Sequence, residues 1–129
     1  MTNATAGAAL AAAGLFHLAF AIFHLTFWKV FRWREELPRL GFINRAVMQI
    51  LNLRLTYLFF VFSGLMLALP EEMLGTRLGM ALLAAISVGW VMRAVEQVVF
   101  FGVRNATSAA FTLLFLVGAA LPAIALLAR

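Results

Sequence analysis

The chain has 129 residues, 65% of them hydrophobic and 12% charged, with a net charge of +5 and no cysteine. Soluble domains run nearer half apolar and a quarter charged, so a water-soluble fold of this size would be left with large apolar patches, and the mean hydropathy of +1.02 points to lipid as the solvent. Without cysteine there are no disulfides, no thiol redox chemistry and no thiolate-held zinc or iron–sulfur centre. The basic residues flank apolar spans instead of building a phosphate-binding face, which argues against a nucleic-acid partner.

A helix needs about 20 mostly apolar residues to cross the hydrocarbon layer. Four segments qualify, 7–31, 43–69, 76–101 and 107–128. The expected fold is therefore all-α, an integral membrane four-helix bundle forming a single transmembrane domain over residues 1–129. The stretch before the first span, Met1-Thr2-Asn3-Ala4-Thr5, has no Lys or Arg. It lacks the basic region of a signal peptide, and the span is too long for a signal core, so it reads as a retained helix. Gly7, Ala11 and Gly14 form a small-residue ridge on this helix, suited either to close helix packing or to lipid-facing filler. Farther along, His17 and His24 lie seven residues apart, almost two full turns, and share one face.

Pro38 and Gly41 punctuate the first connection, Pro70 and Gly75 the second, Gly102 and Asn105 the third. On the second span Arg45, Gln49, Asn52, Thr56 and Ser63 follow three- and four-residue spacing and make one polar stripe. Arg54, two residues from Asn52, points roughly 200° around the helix, toward a different neighbour or a partner subunit. On the third span Arg93, Glu96 and Gln97 occupy i, i+3 and i+4, with Trp90 one turn earlier on the same face. Pro122 falls inside the fourth span, where a lipid-embedded helix tolerates a kink.

The connections differ in charge. Lys29, Arg32, Arg34, Arg39 and Arg45 cluster around the first, against Glu35 and Glu36; the second has Glu71 and Glu72 with Arg77; the third adds Arg104. The positive-inside rule places the first and third connections in the cytoplasm and both termini outside, with Trp28 and Trp33 at the inner interface. The expected location is multi-pass in a membrane, a bacterial inner membrane.

At about 1.5 Å per residue, three helices bring polar groups to a common inner-leaflet depth. The candidate ligand-binding residues are His17, His24, Gln49, Asn52, Arg93, Glu96 and Gln97. Ionisable groups in a span are costly and usually turn inward, where they either bind something or hold helices together. The two histidines lie about 10 Å apart along one helix, too far to share one metal ion, and they cannot be both axial ligands of one haem. No metal site is expected, although a single axial histidine leaves haem binding open. The expected function is binding or transport of a small polar or anionic ligand by a homo-oligomer or a larger membrane complex. A non-catalytic subunit of such a complex is an alternative.

A second alternative is an enzyme. Arg45-Ala46 with Asn52, and Arg93 followed by Phe100 and Arg104, resemble the Arg-Ala…Asn segment and the end of the third helix in the MAPEG family of small four-helix, usually trimeric, glutathione-dependent membrane proteins. Leu55 stands where that family's Asn-x-x-Glu has its acid, and the Arg-to-Asn spacing is longer. The resemblance implies a thiol-dependent membrane enzyme, with Arg45, Asn52, Arg93 and Arg104 as thiol-peptide contacts.

Overall fold

A computed structural model of the chain describes residues 3–129; Met1 and Thr2, part of the uncharged N-terminal stretch, lie outside the described residues. Asn3 starts the first helix, α1 (Ala4–Leu25), its side-chain oxygen accepting from the Thr5 N–H at 2.9 Å. The helix does not run through to 31. At Thr26 the hydroxyl donates to the Phe23 carbonyl at 2.6 Å, beside the Thr26 backbone N–H on the same oxygen at 2.9 Å. A short α2 (Phe27–Val30) follows, then α3 (Trp33–Glu36) and a 3₁₀ turn, Leu37–Arg39. Trp33 and Leu37 bury this segment's apolar side, Trp33 meeting the Phe27 and Trp28 rings edge-on. Hydropathy counts residues 26–31 as span because they are mostly apolar; in the structure the regular helix gives way at Thr26, whose backbone N–H and hydroxyl both bond the Phe23 carbonyl.

Three more long helices complete the bundle: α4 (Phe42–Ala68), α6 (Arg77–Phe101) and α7 (Ala106–Leu127). With α1, four helices are long and apolar enough to cross a membrane. The one-turn-and-a-half α5 (Pro70–Gly75) joins α4 to α6, with Pro70 at its first turn, where a missing N–H costs nothing. Thr76 caps α6 by accepting from the Gly79 N–H at 3.0 Å. A Cβ at Gly79 would run into the backbone carbonyls of Glu72 and Met73, so α5 lies tightly on the start of α6.

Side-chain contacts fix the register. His24 meets Asn52 and Gly14 meets Met66, so α1 and α4 are antiparallel. Gln97 bonds Ser108 and Ser87 bonds Ala119, so α6 and α7 are antiparallel too. In the bundle α1 packs against both α4 and α7, and α7 packs against α6. The fourth side is different: α4 and α6 do not pack along their lengths, and the stacked rings of Phe59 and Trp90 bridge the gap between them.

Small residues set the close approaches. Gly14 sits under α4, where a Cβ would lie 2.7 Å from Leu67 Cγ, whereas Ala11 is exposed and Gly7 has nothing within 4 Å of its Cβ position. The packed ridge of α1 is thus Ala6, Leu10, Ala13, Gly14 and His17, one step around from the Gly7–Ala11 line. At Gly118 of α7 a Cβ would stand 2.7 Å from Phe16 and 2.8 Å from Trp90. Farther along α7, Pro122 removes the N–H that would serve the Gly118 carbonyl, and Ser87 donates across from α6 to the next carbonyl, Ala119, at 2.7 Å. Most outward-facing positions are apolar, among them Ile50, Leu51, Val88, Met92, Val99, Leu113 and Val117, while Arg54 and Glu96 are exposed charges on α4 and α6.

Both rings that face Gly118 are held in a packed aromatic layer and have little room to yield. Gly118→Ala is expected to destabilise the bundle by about 1–3 kcal/mol through overpacking, while Gly64→Ala, with open space at its Cβ position, is expected to be close to neutral. Unfolding titrations of the two variants in mixed detergent micelles check this.

Candidate functional site

The centre of the bundle is a layer of rings. Trp90 lies between Phe59 of α4 and Phe115 of α7, centroids 5.6 and 5.7 Å away and nearly parallel, while Phe16 and Phe20 of α1 meet it edge-on at 5.1 and 4.9 Å. Such stacked and edge-on geometries suit the ring quadrupoles. The layer draws on all four long helices. Its members on α1 belong to a phenylalanine series, 16, 20, 23, 27 and 31, at three- and four-residue spacing. That series is a helical aromatic face legible in the sequence, yet attention to polar residues passes over it.

His17 is fully buried, at 0% exposure, inside this layer. Its Nδ1 donates to the Ala13 carbonyl at 2.7 Å, and its Nε2 accepts from the Trp90 indole N–H at 3.0 Å. A backbone carbonyl only accepts and an indole N–H only donates, so these two partners fix the neutral Nδ1–H tautomer. Both nitrogens are therefore occupied within the protein.

His24, nearly two turns farther along, is half-buried and stacks on Phe27 at 4.3 Å. Its Nδ1 donates to Asn52 Oδ1 at 2.8 Å, while Asn52 Nδ2 donates to the His24 carbonyl at 3.2 Å. Asn52 thus grips both the side chain and the backbone of α1, and the lone pair of His24 Nε2 is left over. Thr56 donates to the Asn52 carbonyl at 2.7 Å, and Gln49 donates to the Arg45 carbonyl of its own helix at 3.0 Å.

On α6 the Arg93 guanidinium lies over the Phe115 ring at 4.4 Å and donates from Nη2 to Gln97 Oε1 at 3.0 Å. Gln97 Nε2 passes the chain on to Ser108 Oγ at 2.9 Å, and Ser108 donates to the Gly102 carbonyl at 2.6 Å. Gly102 has φ +70°, a left-handed conformation that glycine adopts without strain, and Ser108 secures the carbonyl of that turn. Ser108 was not among the sequence candidates, because a lone serine two residues into an apolar helix carries no pattern. One Arg93 N–H is used in this chain, the other donors of its five-donor fork have no side-chain or backbone partner among the described residues, and Arg93 lines the cavity described next. Glu96 is exposed and belongs to neither ion pair among the described residues, which are Arg32–Glu35 and Arg39–Glu36.

Between these groups lies a cavity of about 880 Å³. Its walls are mostly aromatic and aliphatic, and its polar atoms gather toward one end, at His24, Arg93, Glu96, Gln97 and Ser108. It opens sideways through the gap between α4 and α6, where Leu55, Ala85, Gly89 and Glu96 are exposed. Of the seven sequence candidates, His17, His24, Arg93, Glu96 and Gln97 line the cavity, whereas Gln49 and Asn52 do not. Of the four residues singled out by the MAPEG resemblance, Arg93 alone lines it. Among the described residues no three His, Cys, Asp or Glu side chains come together to hold a metal ion. No family model, curated protein or solved structure matches this chain.

Replacing Trp90 by Phe keeps the ring stack and removes the one donor to His17 Nε2 among the described residues. Stranding a buried acceptor costs about 1–3 kcal/mol, so Trp90→Phe is expected to unfold earlier than the parent by that amount. The same measurement on Trp28→Phe, whose ring is exposed, should show little change.

Proposed function

We propose that the chain is a multi-pass protein of a cytoplasmic membrane, such as a bacterial inner membrane, and that it binds a small amphipathic ligand with a polar or anionic head. Apolar outward faces on four long helices support the membrane placement. The basic first connection and Arg104 fall at one end of the bundle, the acidic α5 turn at the other, which supports cytoplasmic placement of the basic end and outward termini.

One observation carries the ligand reading: His24, with its Nε2 uncommitted, and Arg93, with donors to spare, both line a cavity otherwise walled mostly by aromatic and aliphatic side chains. Small-molecule sites are mostly apolar with a few well-placed polar groups, and this volume falls in the usual range. Chemistry divides the labour. Arg93 offers charge-assisted donors to an anionic or carbonyl-bearing head, held in place by Phe115 and Gln97. His24 offers an acceptor to a hydroxyl, oriented by Asn52. His17 serves as scaffold, since neither of its nitrogens is free to meet a ligand. The apolar part of the ligand lies among Phe20, Phe59, Phe62 and Phe111, and the lateral opening between α4 and α6 admits it from the surrounding lipid.

The chain has no cysteine, so single introduced cysteines report orientation cleanly. With a membrane-impermeant maleimide on intact cells, Glu71→Cys is expected to label and Arg39→Cys to label only after permeabilisation; the reverse pattern would invert the topology. For the site, purified protein is analysed by native mass spectrometry for retained compounds and titrated with oleate and with a monoacylglycerol as probes of stated chemistry. Arg93→Ala is expected to weaken oleate retention by about tenfold or more, since a hydrogen bond to a charged group is worth about 1.5–3 kcal/mol. His24→Ala is expected to leave oleate nearly unaffected and to weaken retention of a monoacylglycerol, whose head carries hydroxyls, by about threefold to tenfold, as for a neutral hydrogen bond of about 0.5–1.5 kcal/mol. Glu96→Gln, which removes a negative charge at the same end, is expected to leave oleate retention unchanged or to raise it. An Arg93→Ala protein that still inserts and stays folded yet binds oleate as the parent does would sink the ligand reading, and variants that fall apart in detergent would make the polar groups structural.

A further inference from the structure

Arg54 lies near the middle of α4, twelve residues past its start, exposed and outside both ion pairs among the described residues. On a bilayer-spanning helix a charge at that depth is costly and seeks an opposite charge or water. Its neighbours on the same stripe are Val47, Leu51 and Leu58, all exposed, at three- and four-residue spacing. This stripe borders the open gap, one step around the helix from Leu55, Phe59 and Phe62, which line the cavity.

The facing lip of the gap carries the complement. On α6 the stripe Ala85, Gly89, Met92 and Glu96 is likewise exposed at three- and four-residue spacing, and Glu96 too stands outside both ion pairs. Depth can be compared through the Phe59–Trp90 stack, which puts those two residues level. Arg54 is five residues from Phe59 and Glu96 six from Trp90, in the same direction because α4 and α6 are antiparallel, so the two lie at about 8 and 9 Å below the stack. Ala85 and Gly89, with nothing within 4 Å of the glycine's Cβ position, leave room for a neighbouring helix to approach closely.

We infer that a second copy of this chain covers the gap, with Arg54 of each copy paired to Glu96 of the other. A two-fold axis along the membrane normal turns cleft toward cleft and lays α4 of one copy on α6 of its partner, so each contact is made twice. The partner's Arg54 then stands beside Glu96 at the mouth of the cavity, and the site is complete only in the dimer. Two exposed charges of opposite sign become two compensated pairs, and the exposed valine, leucine and methionine stripes bury each other. This inference rests on the reading that the helices span a bilayer and requires nothing of the ligand.

The test is the mass of the purified protein in detergent by light scattering, together with carbonate-resistant retention in membranes. The wild-type chain is expected at two copies per particle, and Arg54→Glu or Glu96→Arg alone at the one-chain mass of 14.2 kDa. The two single reversals, co-expressed with different tags, should purify together as a mixed dimer, because both contacts between unlike copies are then opposite in sign. Arg54→Gln, a gentler change, should also shift mass toward the single chain if full reversal blocks insertion. A wild-type monomer, reversals that leave the particle unchanged, or reversed chains that fail to pair would each overturn the inference. Loss of the wild-type chain to carbonate extraction would instead overturn the membrane reading beneath it.

Discussion

The hydrogen bond from Trp90 to His17 ties together helices that have no backbone packing in common. Neither α4 nor α1 lies along α6, so the bundle's open side is held by side chains reaching inward. An indole buried among phenylalanines needs an acceptor, and an imidazole fixed by its own helix carbonyl supplies one with defined orientation. The ring stack then has one arrangement: Trp90 between Phe59 and Phe115, with Phe16 and Phe20 edge-on. Glycine at 118 follows from that arrangement, because α7 must pass within ring-contact distance of Phe16 and Trp90.

With the middle held by rings, the cavity beside them is a product of the same geometry. Large planar side chains span distances that aliphatic packing would close, and they leave space at their edges. At one end of that space the polar groups are arranged as two short chains, His24–Asn52–Thr56 on the α1–α4 side and Arg93–Gln97–Ser108–Gly102 on the α6–α7 side. Each chain fastens a helix pair near its ends, so one set of residues serves both as interhelical glue and as the positioning of His24 and Arg93. The alternatives of binding site and glue therefore apply to different atoms of these residues: Nδ1 of His24 is committed to the scaffold and Nε2 is not.

Hydropathy made the four long helices legible, since a run of apolar residues of that length leaves few options for an α-helical chain. Thr26 shows the limit: a mostly apolar run continues past it, but α1 ends there, with the Thr26 backbone N–H and hydroxyl both turned onto the Phe23 carbonyl. Pro70 reads as a breaker in sequence, yet it opens α5, because a first-turn position suits proline as well as a loop does. Helical spacing correctly grouped His17 with His24 on one face and set Arg54 apart from the Asn52 stripe. Spacing does not disclose which atoms are spoken for. The capture of both His17 nitrogens depends on Trp90, 73 residues away, and on α6 reaching past α7 to α1. Gln49 shares the stripe of Asn52 but lies a turn nearer the helix start, beyond the reach of α1, and turns back on its own carbonyl.

The two ends of the α4–α6 pair are restrained unequally. At one end α5 joins them within six residues, with Met73 and Leu74 buried and Gly79 pressed against the carbonyls of Glu72 and Met73. At the other end each helix continues into a different connection. α4 and α6 are thereby joined like the blades of a pair of tongs, covalently through α5 at one end and by the Phe59–Trp90 stack in the middle. A rotation of about 5° at the hinge moves the far end of a helix of this length by about 3 Å, given a rise of about 1.5 Å per residue. Displacement grows along a lever, so any such rotation would carry Arg93 and Glu96 farther than Leu82 and Leu83. The polar end of the cavity lies beyond the aromatic layer from the short α5 connection, so there it is the ring stack and not the chain that sets the spacing of α4 and α6.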